Sequence, residues 1–330
     1  MNRAVLSLLA LVIAAAAPAA AAEHASLAIP GITLGFITRY IADDKGFWKA
    51  QGLDVEVRDI QGIGSINAVI SGSVDFSMSS GPSINRAVAR GQKLVALATA
   101  LNQSDEDIVI RKEIADAAHL DLAAPLKERA KILKGKKIAV GGVAAIPDIV
   151  LKVIAIQAGM ARDDVVITPM QAAETMAAFS TRAIDGFVSG PPYIQQAVLD
   201  GSGVILSDSA KGEPVEYSPV SAALLLARAD FCATHGPVCA KMVHGIVEAA
   251  RFVHEHPAET IAVMKAHFGR YGDKVLEASY PMLVAMTPVP PVTTPQMLEN
   301  ADLMNIVAGF MKPGDKLARY DDIIDNQFAK

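Results

Sequence analysis

Residues 26–57 read SLAIP, GITLGFIT, RYIADDKGFWKAQ, GLDVEV, and this order of strand, loop, helix and strand decides the fold. Ile41 and the pair Phe47/Trp48 recur at helical spacing, while Asp43, Asp44 and Lys49 take the opposite face. Gly52 stands where such a helix would stop, because glycine enters the left-handed cap conformation without steric cost. Leu53, Val55 and Val57 then alternate with Asp54, Glu56 and Arg58, the two-residue period of a strand with one buried face. A βαβ-type unit therefore opens the chain.

Upstream, Arg3, the apolar run 6–17 and the small residues 19–22 have the organisation of a cleavable export signal, so the mature chain is expected to begin near Glu23. That apolar run is short for a membrane span, and no later run reaches the ~18 residues a span requires. Without residues 1–22, 308 of the 330 residues remain, enough for two domains with cores of their own. Their 29 basic and 35 acidic residues give a formal charge of −6, which offers nucleic acid no electrostatic footing. Neither cysteine lies near the cleavage region, so no lipid anchor is expected there.

The rest of the chain alternates short β-rich runs with helical ones, the pattern of an α/β protein with largely parallel sheets. Strands are expected at 74–78, 94–100, 108–110, 134–140, 164–168, 184–189, 204–206 and 218–226. Helices are expected at 82–90, 147–157 and 172–181, followed by a helical tail at 238–254, 257–267, 273–286 and 295–310. The polar stretch 102–105 is a hinge candidate.

Three groups of residues carry a resemblance that extends over most of 26–230. They are Lys45-Gly46-Phe47-Trp48 with Gly52 to Val57, the Leu-Lys-Gly-Lys-Lys-Ile run at 133–138, and the Ala-Phe-(x)4-Ile-Asp-Gly-Phe run at 178–187. The chain resembles periplasmic substrate-binding proteins of the NMT1/THI5-like and aliphatic sulfonate-binding type, which serve ABC importers. The resemblance implies a type II periplasmic binding-protein fold, with two βα lobes, two hinge crossings and a C-terminal helical tail. It places lobe I at 23–102 plus 220–330 and lobe II at 103–219. It also implies a monomer in the periplasm, with a membrane permease and its ATPase as partners and no cofactor.

In such sheets the ligand lies beyond the carboxyl ends of the strands, against helix N-termini. The loops 31–40, 61–67, 79–83 and 141–148 occupy those positions. The ligand-binding candidates in the first lobe are Thr38, Arg39, Tyr40, Gly64, Ser65, Ser79, Ser80 and Gly81. Arg39 is suited to a carboxylate or sulfonate, and Tyr40 to stacking on a ring. The candidates in the second lobe are Gly142, Val143, Gln171, Thr175, Ser189 and Tyr193, with Met170 and Phe187 as an apolar wall. The expected ligand is a small organic molecule, sulfonate, carboxylate or pyrimidine-like.

Cys232 and Cys239, in FCATHGPVC, would form a local disulfide in an oxidising compartment. A metal site with His235, or two free thiols, are the alternatives. Enzyme motifs are missing: His254 and His256 stand two apart rather than four, and no G-x-S-x-G elbow occurs. A secreted enzyme on the same fold would need a titratable group in the cleft. A regulator's effector domain would need a helix-turn-helix where the export signal stands.

Overall fold

Short strands alternating with helices sort into two five-stranded sheets in the computed structural model, which describes residues 22–330. All but the last residue of the expected export signal lies outside the described residues. The first half runs β1 (Glu23–Ile29), α1 (Ile37–Asp44), α2 (Phe47–Ala50), β2 (Leu53–Asp59), α3 (Gly64–Ile70), β3 (Phe76–Ser79), α4 (Gly81–Ala89) and β4 (Leu94–Leu101). The middle runs β5 (Asp107–Arg111), α5 (Lys112–Ala117), α6 (Leu126–Arg129), β6 (Lys137–Val140), α7 (Ile146–Gln157), β7 (Val166–Pro169), α8 (Ala172–Ser180), β8 (Gly186–Ser189), α9 (Tyr193–Leu199) and β9 (Gly203–Ile205). The chain closes with β10 (Ala223–Arg228), α10 (Ala229–Thr234), α11 (Gly236–Glu255), α12 (Pro257–Phe268), α13 (Asp273–Met286) and α14 (Pro295–Ala308).

The first sheet has the order β2-β1-β3-β10-β4 and the second β7-β6-β8-β5-β9. Both are mixed but largely parallel, with one reversed strand in each. β10 is antiparallel to β3 and β4, and β5 is antiparallel to β8 and β9. Each of these is the first strand after the chain passes from one sheet to the other, so neither is delivered by a right-handed βαβ crossover. Strands β3 and β10 are buried almost throughout, as strands covered on both faces must be. The edge strand β2 keeps the alternation that its sequence announces.

Residues 39–51 do not form one helix. Gly46, at φ +68°, ends α1 one residue past Lys45 and starts α2, which carries Trp48 into the core. The helical tail touches elements of both sheets. α11 packs on α1 and α2, but α13 rests on α9 and α14 lies against both α4 and α7. Asn85 and Arg86 of α4 tie α14 down through Asp302 and Asn305.

Cys232 on α10 and Cys239 on α11 are joined by a disulfide, with their Cα atoms 5.8 Å apart. We expect alkylation of the unfolded protein to add no groups before reduction and two afterwards, read by intact mass. Two groups added before reduction would establish free thiols instead.

Candidate functional site

The carboxyl ends of β1, β3, β6, β7 and β8 face one cleft between the sheets, enclosing about 120 Å³. One wall consists of Pro30 to Thr33 with Gly35 and Phe36, the turn Gln61 to Ile63, and Ser79, Ser80 and Ser83. The other consists of Gly141, Ala145 to Pro147, Met170 to Ala172, Thr175, Val188 and Ser189. Leu101, Asp105, Glu106, Ala222 and Ala223 complete the lining where the chain crosses between sheets.

Direct bonds join the walls around this space. Leu34 N–H donates to the Pro191 carbonyl at 2.9 Å, and the Tyr193 hydroxyl donates to the Ile32 carbonyl at 2.8 Å. Arg86 of α4 donates to the Ala144 carbonyl at 2.7 Å, although burial pushes its guanidinium down to about 10.

Five of the fourteen residues expected at the ligand line the cleft: Ser79, Ser80, Gln171, Thr175 and Ser189. The other nine do not. Arg39 lies over the Tyr40 ring, 4.2 Å from its centroid, and Tyr40 packs against His267 and Phe268 of α12. Burial pushes the Tyr40 phenol up to about 12. Thr38 is buried, one turn behind the cleft. The cause is local: a 3₁₀ turn over Leu34–Phe36 delays α1, so that loop rather than the helix start faces the ligand space. Gly64 and Ser65 cap the turn, Ser65 Oγ donating to the Gly62 carbonyl at 3.0 Å. Gly81 N–H is taken by the Ser221 carbonyl at 2.7 Å. Val143 points to solvent, with Gly142 beside it against the Gly62 backbone. Tyr193 joins the walls from outside the lining, and Phe187 belongs to the core.

Sequence reasoning missed the groups with the most electrostatic consequence. Asp105 and Glu106 are the only ionisable residues of the lining among the described residues; no lysine, arginine or histidine joins them. Burial pushes the Asp105 carboxyl up to about 6, and burial together with Asp105 and Asp107 raises Glu106 well above the carboxylate range. Asp107, just outside the cleft, is pushed up to about 7 by burial even though Ser209 N–H and Ser207 Oγ donate to it. In sequence these residues continue a polar stretch that reads as a solvated hinge. Their adjacency to the apolar strand 108–110 was the available sign that they are drawn inside.

The family model described as NMT1/THI5 like matches residues 34–260. The chain belongs to this family. A curated relative in Brucella abortus (strain 2308), named only as a "putative binding protein", is 26% identical over 244 residues, covering 70% of each chain. Among solved structures, the alkanesulfonate-binding protein SsuA from Xanthomonas axonopodis pv. citri, bound to MOPS, superimposes with a TM-score of 0.72 at 16% identity. That match covers 93% of this chain and 100% of the other. A protein of Bordetella bronchiseptica RB50 gives a TM-score of 0.78 at 19% identity, covering 93% and 96%. The periplasmic aliphatic sulphonate binding protein SsuA from Escherichia coli gives 0.64 at 20%, covering 87% and 91%. At these identities the structural matches establish the periplasmic binding-protein fold. That fold supplies the frame of this NMT1/THI5-like chain, and the lining described above is its own.

Proposed function

We propose that this protein is the periplasmic solute-binding component of an ABC importer, which captures one small organic molecule between its lobes and presents it to a membrane permease and ATPase. The observation that carries the reading is a single walled cleft at the carboxyl ends of strands from two sheets, bridged by hydrogen bonds that can form only when the walls are together. Lobe I is taken as 23–102 plus 220–330 and lobe II as 103–219, with α14 spanning both. A ligand that touches both walls favours the closed form by the difference in its affinity for the two forms. The cleft's volume of about 120 Å³, near the ~150 Å³ that admits benzene in an engineered cavity, supports a compact ligand with at least one ring held between the walls. Of the expected ligand types, the lack of a cationic side chain in the lining supports a nitrogen heterocycle over a sulfonate or carboxylate.

Protein purified gently from periplasm should carry a small molecule detectable by native mass spectrometry. Small-angle scattering should then show a smaller radius of gyration with that molecule than after its removal. An unchanged radius at saturation would reject lobe closure.

Asp105 and Glu106 favour one second reading, a secreted enzyme on the same fold, since they are titratable groups poised in the cleft. Recovery of the bound molecule chemically unchanged after prolonged incubation supports capture; a changed mass supports the enzyme.

A further inference from the structure

We propose that the cleft selects a compact, largely apolar molecule that presents a protonated nitrogen, an ammonium or amidinium, to the carboxylates of Asp105 and Glu106. The inference rests on the capture reading above and deepens it by naming the ligand's charge.

The two carboxyls have no counter-charge of their own. Glu106 Oε2 is buried, and among the described residues nothing hydrogen-bonds it. Asp105 is 7% exposed and is held between two backbones: a Cβ built on Gly35 would stand 2.2 Å, and one on Gly190 2.6 Å, from its Oδ2. Two glycines therefore make room for that carboxylate at the cleft. A buried charge without a partner is costly, and such a group either takes up a proton or acquires a cation. The elements packed around the pair contribute no other titratable side chain to the lining; the nearest is Asp107, which is also acidic and is occupied by Ser207 and Ser209.

An anionic ligand would look to backbone N–H groups at helix starts, and several of those donors are already engaged or missing. Gly81 N–H serves the Ser221 carbonyl, Ala144 N–H serves Asp148 Oδ2 and Gln171 N–H serves Glu174 Oε2. Position 82 of α4 and position 147 of α7 are prolines, which carry no N–H. The other polar side chains of the lining are hydroxyls and amides, among them Gln61, Ser79, Gln171, Thr175 and Ser189, which can orient a neutral or cationic head as readily as an anion.

The test compares three probes with one apolar body: benzylammonium, benzyl alcohol and benzenesulfonate, titrated into the full chain by calorimetry at about pH 8 and about pH 5. At the higher pH benzylammonium should bind about tenfold or more tightly than either of the others, and it should lose about tenfold at the lower pH as the carboxyls take up protons. Glu106→Gln should abolish both the preference and its pH dependence. That variant replaces an unpartnered buried carboxyl with a neutral amide of the same shape and should melt no lower than wild type; Asp105→Asn provides an independent second variant. Binding of benzenesulfonate as tight as that of benzylammonium, with scattering still showing closure, overturns this inference and leaves the capture reading intact. Benzylammonium preference that persists in both variants also overturns it. If none of the probes binds, the charge of the molecule carried out of the periplasm decides: a cation supports the inference, and an anion or neutral molecule overturns it. Absence of any bound molecule sinks the capture reading and this inference with it.

Discussion

Raising the pH of the ligand-free protein from about 4 to about 7 should lower its unfolding free energy by on the order of several kcal/mol, opposite to the usual acid denaturation. Burial is the leading cause for each group: Asp105 is pushed up to about 6, Asp107 to about 7, and Glu106 upward as well. The folded-state values lie above the unfolded ones, so between these limits the native protein holds protons that the unfolded chain has released. Stability then falls as pH rises, and the contribution is complete only below the unfolded values. Each tenfold change in a carboxyl's proton affinity corresponds to about 1.4 kcal/mol, and the neighbouring acids share their penalty rather than adding to one another. Glu56, Glu128 and Glu259 work in the opposite direction, lowered mainly by hydrogen bonds from Arg58, Lys131 and Lys45, but they are solvent-screened surface pairs of little weight. Denaturant unfolding at a series of pH values measures the slope, and Asp107→Asn should flatten it. Stability that climbs steadily through this window would show that the three carboxyls ionise freely in the fold.

Trp48→Ala should destabilise the protein by about 3–5 kcal/mol, the range for deletion of a large buried aromatic side chain. Trp48 is 2% exposed, and its indole N–H donates to the Met242 carbonyl at 3.0 Å, so truncation leaves both a cavity and an unpaired carbonyl. The reciprocal position tests the same contact from the other side. Gly245 of α11 lies under the indole, where an added Cβ would be 2.1 Å from Cδ1 of Trp48. Gly245→Ala gains helix propensity worth up to ~1 kcal/mol, but it cannot be accommodated unless the ring moves, which costs about 1–3 kcal/mol. Melting of the two single variants and the double variant measures the coupling. A Trp48→Ala protein within about 1 kcal/mol of wild type would mean that α11 is not held by this ring.

Much of the fold was legible because the periods are clean. The alternation in 53–57 marks β2, and the prolines opening 82–90, 147–157, 257–267 and 295–310 mark real helix starts. Strand direction was not legible, since the sequences of β5 and β10 do not record that each follows a crossing between sheets. The site was half legible for a related reason. Small polar residues at strand ends, such as Ser79 and Ser189, are placed by topology and were found. Arg39 was misplaced by the length of one 3₁₀ turn, and Asp105 and Glu106 were hidden because burial of an acid is decided by packing from distant segments, here Gly35 and Gly190.

The position of β10 has a consequence for the order in which the molecule can be assembled. β4 has β10 as its one full ladder neighbour among the described strands, and β3 is joined to β4 only through it. A chain emerging from the ribosome thus carries β3 and β4, complete by Leu101, with two unfilled strand edges until residues 223–228 follow, while all five strands of the other sheet precede that point. The half made first is completed last. Folding of the leading half therefore waits on a strand that the chain supplies only after the whole of the other sheet.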